Sequence, residues 1–337
     1  MRVGFDISQM AHNGGVSTYT QKLTEELSKR KELEMIYFYS SLRQPYCGEL
    51  KNVKKFHLPP ALFEMLFNRW RNVPIENFIG KIDIFHSSDW IQPQTKAKKV
   101  TTYHDVVPLK YPGWSHPNIV KVHKRRLKLV EKEIDHVIAV SESTKRDLLE
   151  VSSIPKEKIT VIYEGPTADF KPQSIEKIRK FKEKYNLPEK FVLAIGGVGE
   201  RRNLQRIKEA AKDYNLVITG QTIPWLDIDE LELLYASADA LLYCSLYEGF
   251  GLPILDAFLV GCPVITSNIS SMPEVGGNAA LYVDPLNLED IKEKLKKVLE
   301  DKDLREEIVR QGYQQVKKFS WDKCAQATEQ VYQRELQ

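Results

Sequence analysis

The chain has 337 residues, 42% hydrophobic and 28% charged, a balance that excludes a disordered or fibrous protein. A single hydrophobic core stops growing at roughly 250 to 300 residues, so this length predicts two domains. The net charge of +3 is uneven: residues 1–170 carry 26 Lys and Arg against 20 Asp and Glu (+6), the remainder 23 against 26 (−3), so attraction to an anionic partner belongs to the first half.

Residues 2–7 alternate as a first strand, and Asn13-Gly14-Gly15-Val16 turns into a helix with Tyr19, Leu23 and Leu27 on its apolar face. Glycines there let backbone pass close to a ligand, or simply make a tight turn. Met35 to Ser40 is the next strand. Pro59 to Trp70 is an aromatic amphipathic helix carrying Leu62, Phe63, Leu66, Phe67 and Trp70 beside Arg69 and Arg71, a face suited to a core or to a membrane surface. Ile82–His86 and Lys99–Tyr103 are strands, and the second delivers His104-Asp105 to its carboxyl end, where open α/β sheets place ligands. Lys121-Val122-His123-Lys124-Arg125-Arg126-Leu127-Lys128 lies on a helix whose apolar stripe is Ile119, Val122, Leu127 and Val130. Its cations form either a solvated face or a contact for an anionic membrane. His136–Val140 leads to Ser141, a helix cap, and Lys158–Tyr163 closes the first sheet. Glu164-Gly165-Pro166, with Pro172 soon after, marks the boundary between domains.

The second half opens with the strand Phe191–Gly196, followed by Gly196-Gly197-Val198-Gly199-Glu200-Arg201-Arg202-Asn203. An arginine on this loop suits a diphosphate, which its planar fork of donors can grip at two oxygens. Ala240–Cys244 is an apolar strand that runs into Tyr247-Glu248-Gly249-Phe250-Gly251-Leu252-Pro253, where a helix begins and then ends at Gly261. A strand, a glycine loop and a helix N-terminus together make an anion site. Glu248 and Asp256 frame it with carboxylates, which accept hydrogen bonds from sugar hydroxyls. A nucleotide sugar supplies both chemistries. No apolar run nears the roughly 20 residues that span a bilayer, and the first residues lead into a strand without the pattern of a signal peptide. Cys47, Cys244, Cys262 and Cys324 lack metal spacing, so reduced thiols and a cytoplasmic setting are expected.

Glu248-Gly249-Phe250-Gly251-Leu252-Pro253, the acid eight positions after Glu248, Gly261-Cys262-Pro263-Val264-Ile265 and Gly277-Asn278-Ala279-Ala280 resemble the signature of glycosyltransferase family 4. Tyr103-His104-Asp105-Val106-Val107-Pro108-Leu109 is similar to that family's histidine motif. The resemblance implies an α/β protein of the GT-B fold, two Rossmann-like α/β/α domains facing across a cleft with a C-terminal helix crossing back to the first. It places domains at 1–168 and 169–320, with 321–337 as that helix. It implies a retaining, metal-independent hexosyltransferase that moves sugar from a nucleotide diphosphate sugar to a hydroxyl acceptor, in polysaccharide or glycolipid assembly, with no separate cofactor and no nucleic-acid partner. His104 and Glu248 would then meet the donor sugar as catalytic residues. Gly14, Gly15, Arg201, Arg202, the N–H groups of Phe250, Gly251 and Leu252, and Asp256 at the ribose would bind the donor.

The sequence departs from the family at Gly197, where a second basic residue is common, and at Asp256, where glutamate is usual. The stretch from Gly220 to Leu231 is also short by about one strand-helix unit. These departures keep open a donor-binding protein with little turnover, and the shared two-domain architecture a non-hydrolysing nucleotide-sugar epimerase, against which the pair of transferase motifs argues. The acceptor, lipid-linked or soluble, is not legible, and a basic first domain with an aromatic helix suits a peripheral position on an anionic membrane.

Overall fold

A computed structural model of the chain describes residues 1–12, 14–197 and 199–337. Asn13 and Val198, one in each of the two glycine turns noted above, lie outside the described residues. The chain divides into two units, Met1–Glu164 with Trp321–Gln337, and Gly165–Ser320.

In the first unit, β1 (Arg2–Asp6), β2 (Glu34–Ser40), β3 (Val53–Phe56), β4 (Ile84–Ser87), β5 (Lys98–Tyr103), β6 (His136–Ala139) and β7 (Ile159–Val161) form one parallel sheet. The strand order is β3-β2-β1-β4-β5-β6-β7. Register sets Gly4 of β1 beside Ile36 and Phe85, on the face where Phe38, Phe63, Phe67 and Ile79 pack as a core. A Cβ on Gly4 would lie 2.6 Å from Ile79 Cδ1, so a side chain there would require the tip of Ile79 to shift. The next residues along, Phe5, Tyr37 and His86, point to the opposite face because side chains alternate along a strand. Helices Gly15–Leu27 and Trp321–Glu335 cover that face. Tyr37 Oη donates to Thr24 O at 3.2 Å, and His86 lies between Thr102 Oγ1 at 2.9 Å and Tyr332 Oη at 2.6 Å. Burial lowers the His86 pKa to about 3, so a neutral ring links the terminal helix to the sheet.

Two surface readings change here. The aromatic helix runs from Pro60 to Glu64 and continues in π-helical turns over Met65–Trp70. Phe63 and Phe67 are buried in it, whereas Trp70 is 60% exposed. In the basic helix, Pro117–Glu133, the buried stripe takes Val120 in place of the exposed Ile119, and Arg126 is completely buried. Arg125 pairs with the buried Glu64. Lys121, Lys124 and Lys128 remain exposed as the cationic face of that segment.

The second unit holds β8 (Val192–Ala194), β9 (Leu216–Ile218), β10 (Ala240–Tyr243), β11 (Val264–Ser267) and β12 (Ala280–Val283), parallel and in the order β12-β11-β10-β8-β9. Val192, Leu242 and Ile265 meet Leu295 and Ile308 from the covering helices in its core. Among the described residues, β9 reaches the helix Ile228–Ser237 with no further named strand between them. No described helix is long and apolar enough to cross a membrane.

Candidate functional site

His104 follows β5 at the carboxyl edge of the first sheet and stands between two carboxylates from the same unit. Its Nδ1 is 3.4 Å from Glu164 Oε1 and its Nε2 4.0 Å from Asp89 Oδ2. Tyr19 meets the ring edge-on at 4.5 Å. Burial disfavours the imidazolium, but Asp89 and Glu164 outweigh it and the His104 pKa is raised. Behind Asp89 lies the buried Arg126, with Nη1 3.8 Å from Asp89 Oδ1 and its guanidinium 4.4 Å from the centre of the Tyr103 ring. Gly14 and Gly15 stand exposed at the start of the first helix, Gly14 with φ 130°, a conformation that favours glycine.

In the second sheet, connections from β8 and β10 diverge to opposite sides, and open α/β sheets bind ligands outside the carboxyl ends of strands at such a point. The two loops leaving β8 and β10 meet there. Arg202 Nη1 donates to Tyr243 Oη at 2.8 Å and to Glu248 Oε1 at 2.5 Å, and Arg201 Nη1 lies 3.9 Å from Glu248 Oε2. Gly197 makes room for the Arg202 side chain, since a Cβ there would stand 3.2 Å from Arg202 Nε. Asn203, in the left-handed region at φ 55°, anchors this loop by donating to the carbonyls of Cys244 and Pro285. The opposite loop is pinned by serines: Ser270 Oγ donates to Glu248 O, and Ser271 Oγ to the carbonyls of Glu248 and Phe250. Gly251, at φ 120°, turns the chain into the helix Leu252–Val260, with Pro253 in its first turn. Among the described residues, no group of three or more His, Cys, Asp or Glu side chains could hold a metal ion.

Asp256, the residue expected at the ribose, lies inside the second unit. It is 2% exposed, and its two oxygens accept the Thr167 N–H at 2.8 Å and the Thr167 hydroxyl at 2.7 Å. The carboxylate therefore ties the segment after Pro166 to the helix instead of facing solvent. Burial raises its pKa to about 7, against the hydrogen bonds from Thr167. Between about pH 4, where an unfolded aspartate ionises, and about pH 7, the folded state holds a proton that the unfolded state has lost. Stability contributed by this group accordingly falls as pH rises through that window. Asp256→Asn should remove this component, so that thermal melts of variant and parent diverge in the variant's favour as pH rises from 4 to 7. Parallel pH profiles would contradict this assignment.

Among the expected residues, Arg201, Arg202 and Glu248 are brought together, and Phe250, Gly251 and Leu252 form the adjoining loop and helix start. His104 belongs to the other unit with Gly14 and Gly15. Sequence reasoning passed over Asp89, Glu164, Tyr243, Ser270 and Ser271. Asp89 follows β4 and Tyr243 ends β10, so the strand-end rule applied to His104 would have flagged both. Glu164 lay within the segment read only as a boundary.

A family model described as Glycosyl transferases group 1 matches residues 145–315, just over half of the chain, and one described as Glycosyltransferase Family 4 matches residues 13–169. The chain is 28% identical over 287 residues to O-antigen chain mannosyltransferase B of Escherichia coli, covering 74% of each sequence. It superposes on sucrose-phosphate synthase of Thermosynechococcus elongatus with a TM-score of 0.78 at 18% identity, over 99% of this chain and 98% of that one. It superposes on Anabaena HepE in complex with UDP and glucose with a TM-score of 0.72 at 14% identity, over 99% of this chain and all of that one. The two parallel-sheet units are those of the GT-B fold, and the chain belongs to the group 1 glycosyl transferases, with a family 4 domain in its first half.

Proposed function

We propose that the chain transfers a mannosyl residue from a nucleoside diphosphate sugar, with retention at C1, to a hydroxyl group of a growing polysaccharide. The observation that carries this reading is the Arg202–Glu248 pair on the two loops at the switch point of the second sheet. The name of the Escherichia coli relative supports mannose and a polysaccharide, and the UDP and glucose complex of HepE supports a nucleotide-sugar donor.

In the transfer, the bond from C1 to the diphosphate oxygen breaks and its electron pair stays on the phosphate. The acceptor oxygen bonds to C1, and the acceptor proton goes to the departing phosphate. Arg202, aided by Arg201, offsets charge on that phosphate. Glu248 accepts hydrogen bonds from sugar hydroxyls. His104 Nε2, beyond hydrogen-bond range of Asp89, donates to another sugar hydroxyl.

Incubation with labelled nucleoside diphosphate sugars tests the proposal. Transfer or release of free sugar is expected, with the product keeping the donor's anomeric configuration and a chelator leaving the rate unchanged. A sugar altered at another carbon would identify an epimerase, binding without turnover a donor-binding protein, and strong inhibition by chelator a metal-dependent step.

The exposed Lys121, Lys124 and Lys128, together with exposed Trp70, support attachment to an anionic membrane. Each cation near such a surface contributes about 1 kcal/mol, screened over a Debye length of about 8 Å at physiological ionic strength. Sedimentation with anionic vesicles at low salt, and release at high salt, is the expected result. Equal pelleting with neutral vesicles would rule out electrostatic attachment.

A further inference from the structure

The helix Trp321–Glu335 buries one stripe, Trp321, Cys324, Ala325, Thr328, Val331 and Tyr332. Tyr332, about three turns from Trp321 along that stripe, brings a hydroxyl into the interior of the first unit. A buried hydroxyl is costly unless it is hydrogen-bonded. Here it meets His86 Nδ1 of β4 at 2.6 Å, His86 Nε2 meets Thr102 Oγ1 of β5 at 2.9 Å, and Thr102 Oγ1 meets Tyr19 Oη of the first helix at 2.9 Å. All four side chains are buried. A neutral imidazole has one N–H and one lone pair, so both ring nitrogens are engaged and the chain of bonds runs unbroken from the terminal helix to Tyr19.

Apolar side chains would fill this volume at less cost, and what a connected buried network adds is a fixed orientation for its members. The member that matters for the site is Tyr19. Its hydroxyl is tethered to Thr102, and its ring packs edge-on against two others: Trp321, the first residue of the terminal helix, at 5.8 Å, and His104 at 4.5 Å with the planes at 83°. The polar contacts of His104 are long, 3.4 Å from Nδ1 to Glu164 and 4.0 Å from Nε2 to Asp89, beyond the usual range of roughly 2.7 to 3.2 Å for an N–H···O bond. They leave the rotation of the imidazole loosely set. The Tyr19 ring supplies the wall that fixes it.

We propose that the terminal helix positions the catalytic imidazole: Tyr332 acts through His86, Thr102 and Tyr19 to hold His104 Nε2 at the angle from which it meets the donor sugar, with Trp321 bracing the same tyrosine. The proposal rests on the sugar-transfer reading, in which His104 donates to a sugar hydroxyl, and deepens it by naming residues outside the donor loops on which turnover depends. Tyr19, His86, Thr102 and Tyr332 are positioning residues, and none of them has an assigned contact to the diphosphate. A tilt of the imidazole costs rate without weakening the grip on parts of the donor that His104 does not touch, and a displacement of about 1 Å costs roughly 10²-fold.

Tyr332→Phe and Tyr19→Phe each remove one hydroxyl and keep the ring. Each should lower kcat by about tenfold, part of the loss for full misplacement, while the donor KM and the Kd of a nucleoside diphosphate stay at parent values. In a His104→Ala background the same substitutions should have no further effect, because the side chain they position is gone. Imidazole nitrogen NMR shifts of His104, identified by their absence in His104→Ala and recorded without nucleotide, should move in both variants. Unchanged kcat, an equal proportional loss with and without His104, or unmoved His104 shifts would each overturn the proposal and leave the sugar-transfer reading standing. Absence of transfer by the parent from any nucleotide sugar would remove that reading instead, and the NMR comparison, which needs no donor, would still judge the positioning chain.

Discussion

Replacing His104 with alanine is expected to lower kcat for sugar transfer by about 10²- to 10³-fold, the range for losing one positioned donor near developing charge, while nucleoside diphosphate binding stays unchanged. The imidazole is fixed by Glu164 at Nδ1 and faces Asp89 from Nε2, with Tyr19 edge-on against the ring. That setting orients one N–H and raises the pKa of the ring despite its burial. Its proposed partner is a hydroxyl of the donor sugar, not the diphosphate, so the loss should fall on turnover. His104→Asn, which keeps a donor at shorter reach, should recover part of the rate. Stopped-point assays of transfer, paired with calorimetric titration of the nucleoside diphosphate, separate the two effects. A loss of diphosphate affinity equal to the loss of rate would show that His104 belongs to binding instead.

The second large effect is expected at Arg202. Arg202→Ala should weaken nucleoside diphosphate binding by about 1.5 to 3 kcal/mol, the value of a hydrogen bond to a charged group, or roughly 10- to 150-fold in Kd. Arg202 is held by Tyr243 and Glu248 on the loops that meet at the switch point, and Gly197 gives its side chain space. A diphosphate arriving there competes with Glu248 for the same guanidinium. Glu248→Gln should therefore retain or tighten diphosphate binding while transfer falls, because the competing charge is gone and the acceptor for sugar hydroxyls is weakened. Calorimetry on both variants decides the matter. Unchanged affinity in Arg202→Ala with an intact fold would move the role to Arg201, which lies 3.9 Å from the same carboxylate.

Wherever the governing interactions were local, this protein could be read from its residues. Individual strands and helical stripes were legible because side-chain periodicity acts over a few residues, whereas the two Rossmann-like α/β units were implied by the resemblance to glycosyltransferase family 4. Gly251 and Gly261 were legible as a loop and a helix end because both adopt positive φ, which glycine accepts without steric cost. The Glu248 loop could be anticipated as an anion site from a strand, a glycine turn and a proline at a helix start, but its place at the switch point follows from the strand order.

Tertiary structure alone decided which side chains meet. β3, with Lys54 and Lys55 in a four-residue edge strand, carries no apolar alternation, since lysines there protect an open sheet edge. Arg126 appeared to belong to a cationic face, but the helix turns it into the interior beside Asp89 and Tyr103. Asp256 has the spacing of a ligand carboxylate, and nothing local foretold that it accepts from Thr167, 89 positions earlier in the chain. His104 and Glu164 are 60 positions apart and Arg202 and Glu248 46, and each pair is joined only because strand order brings separate loops to one sheet edge. Periodicity and turn chemistry carry no information over such separations, so the local elements were in the sequence and the chemistry of the sites was in the topology.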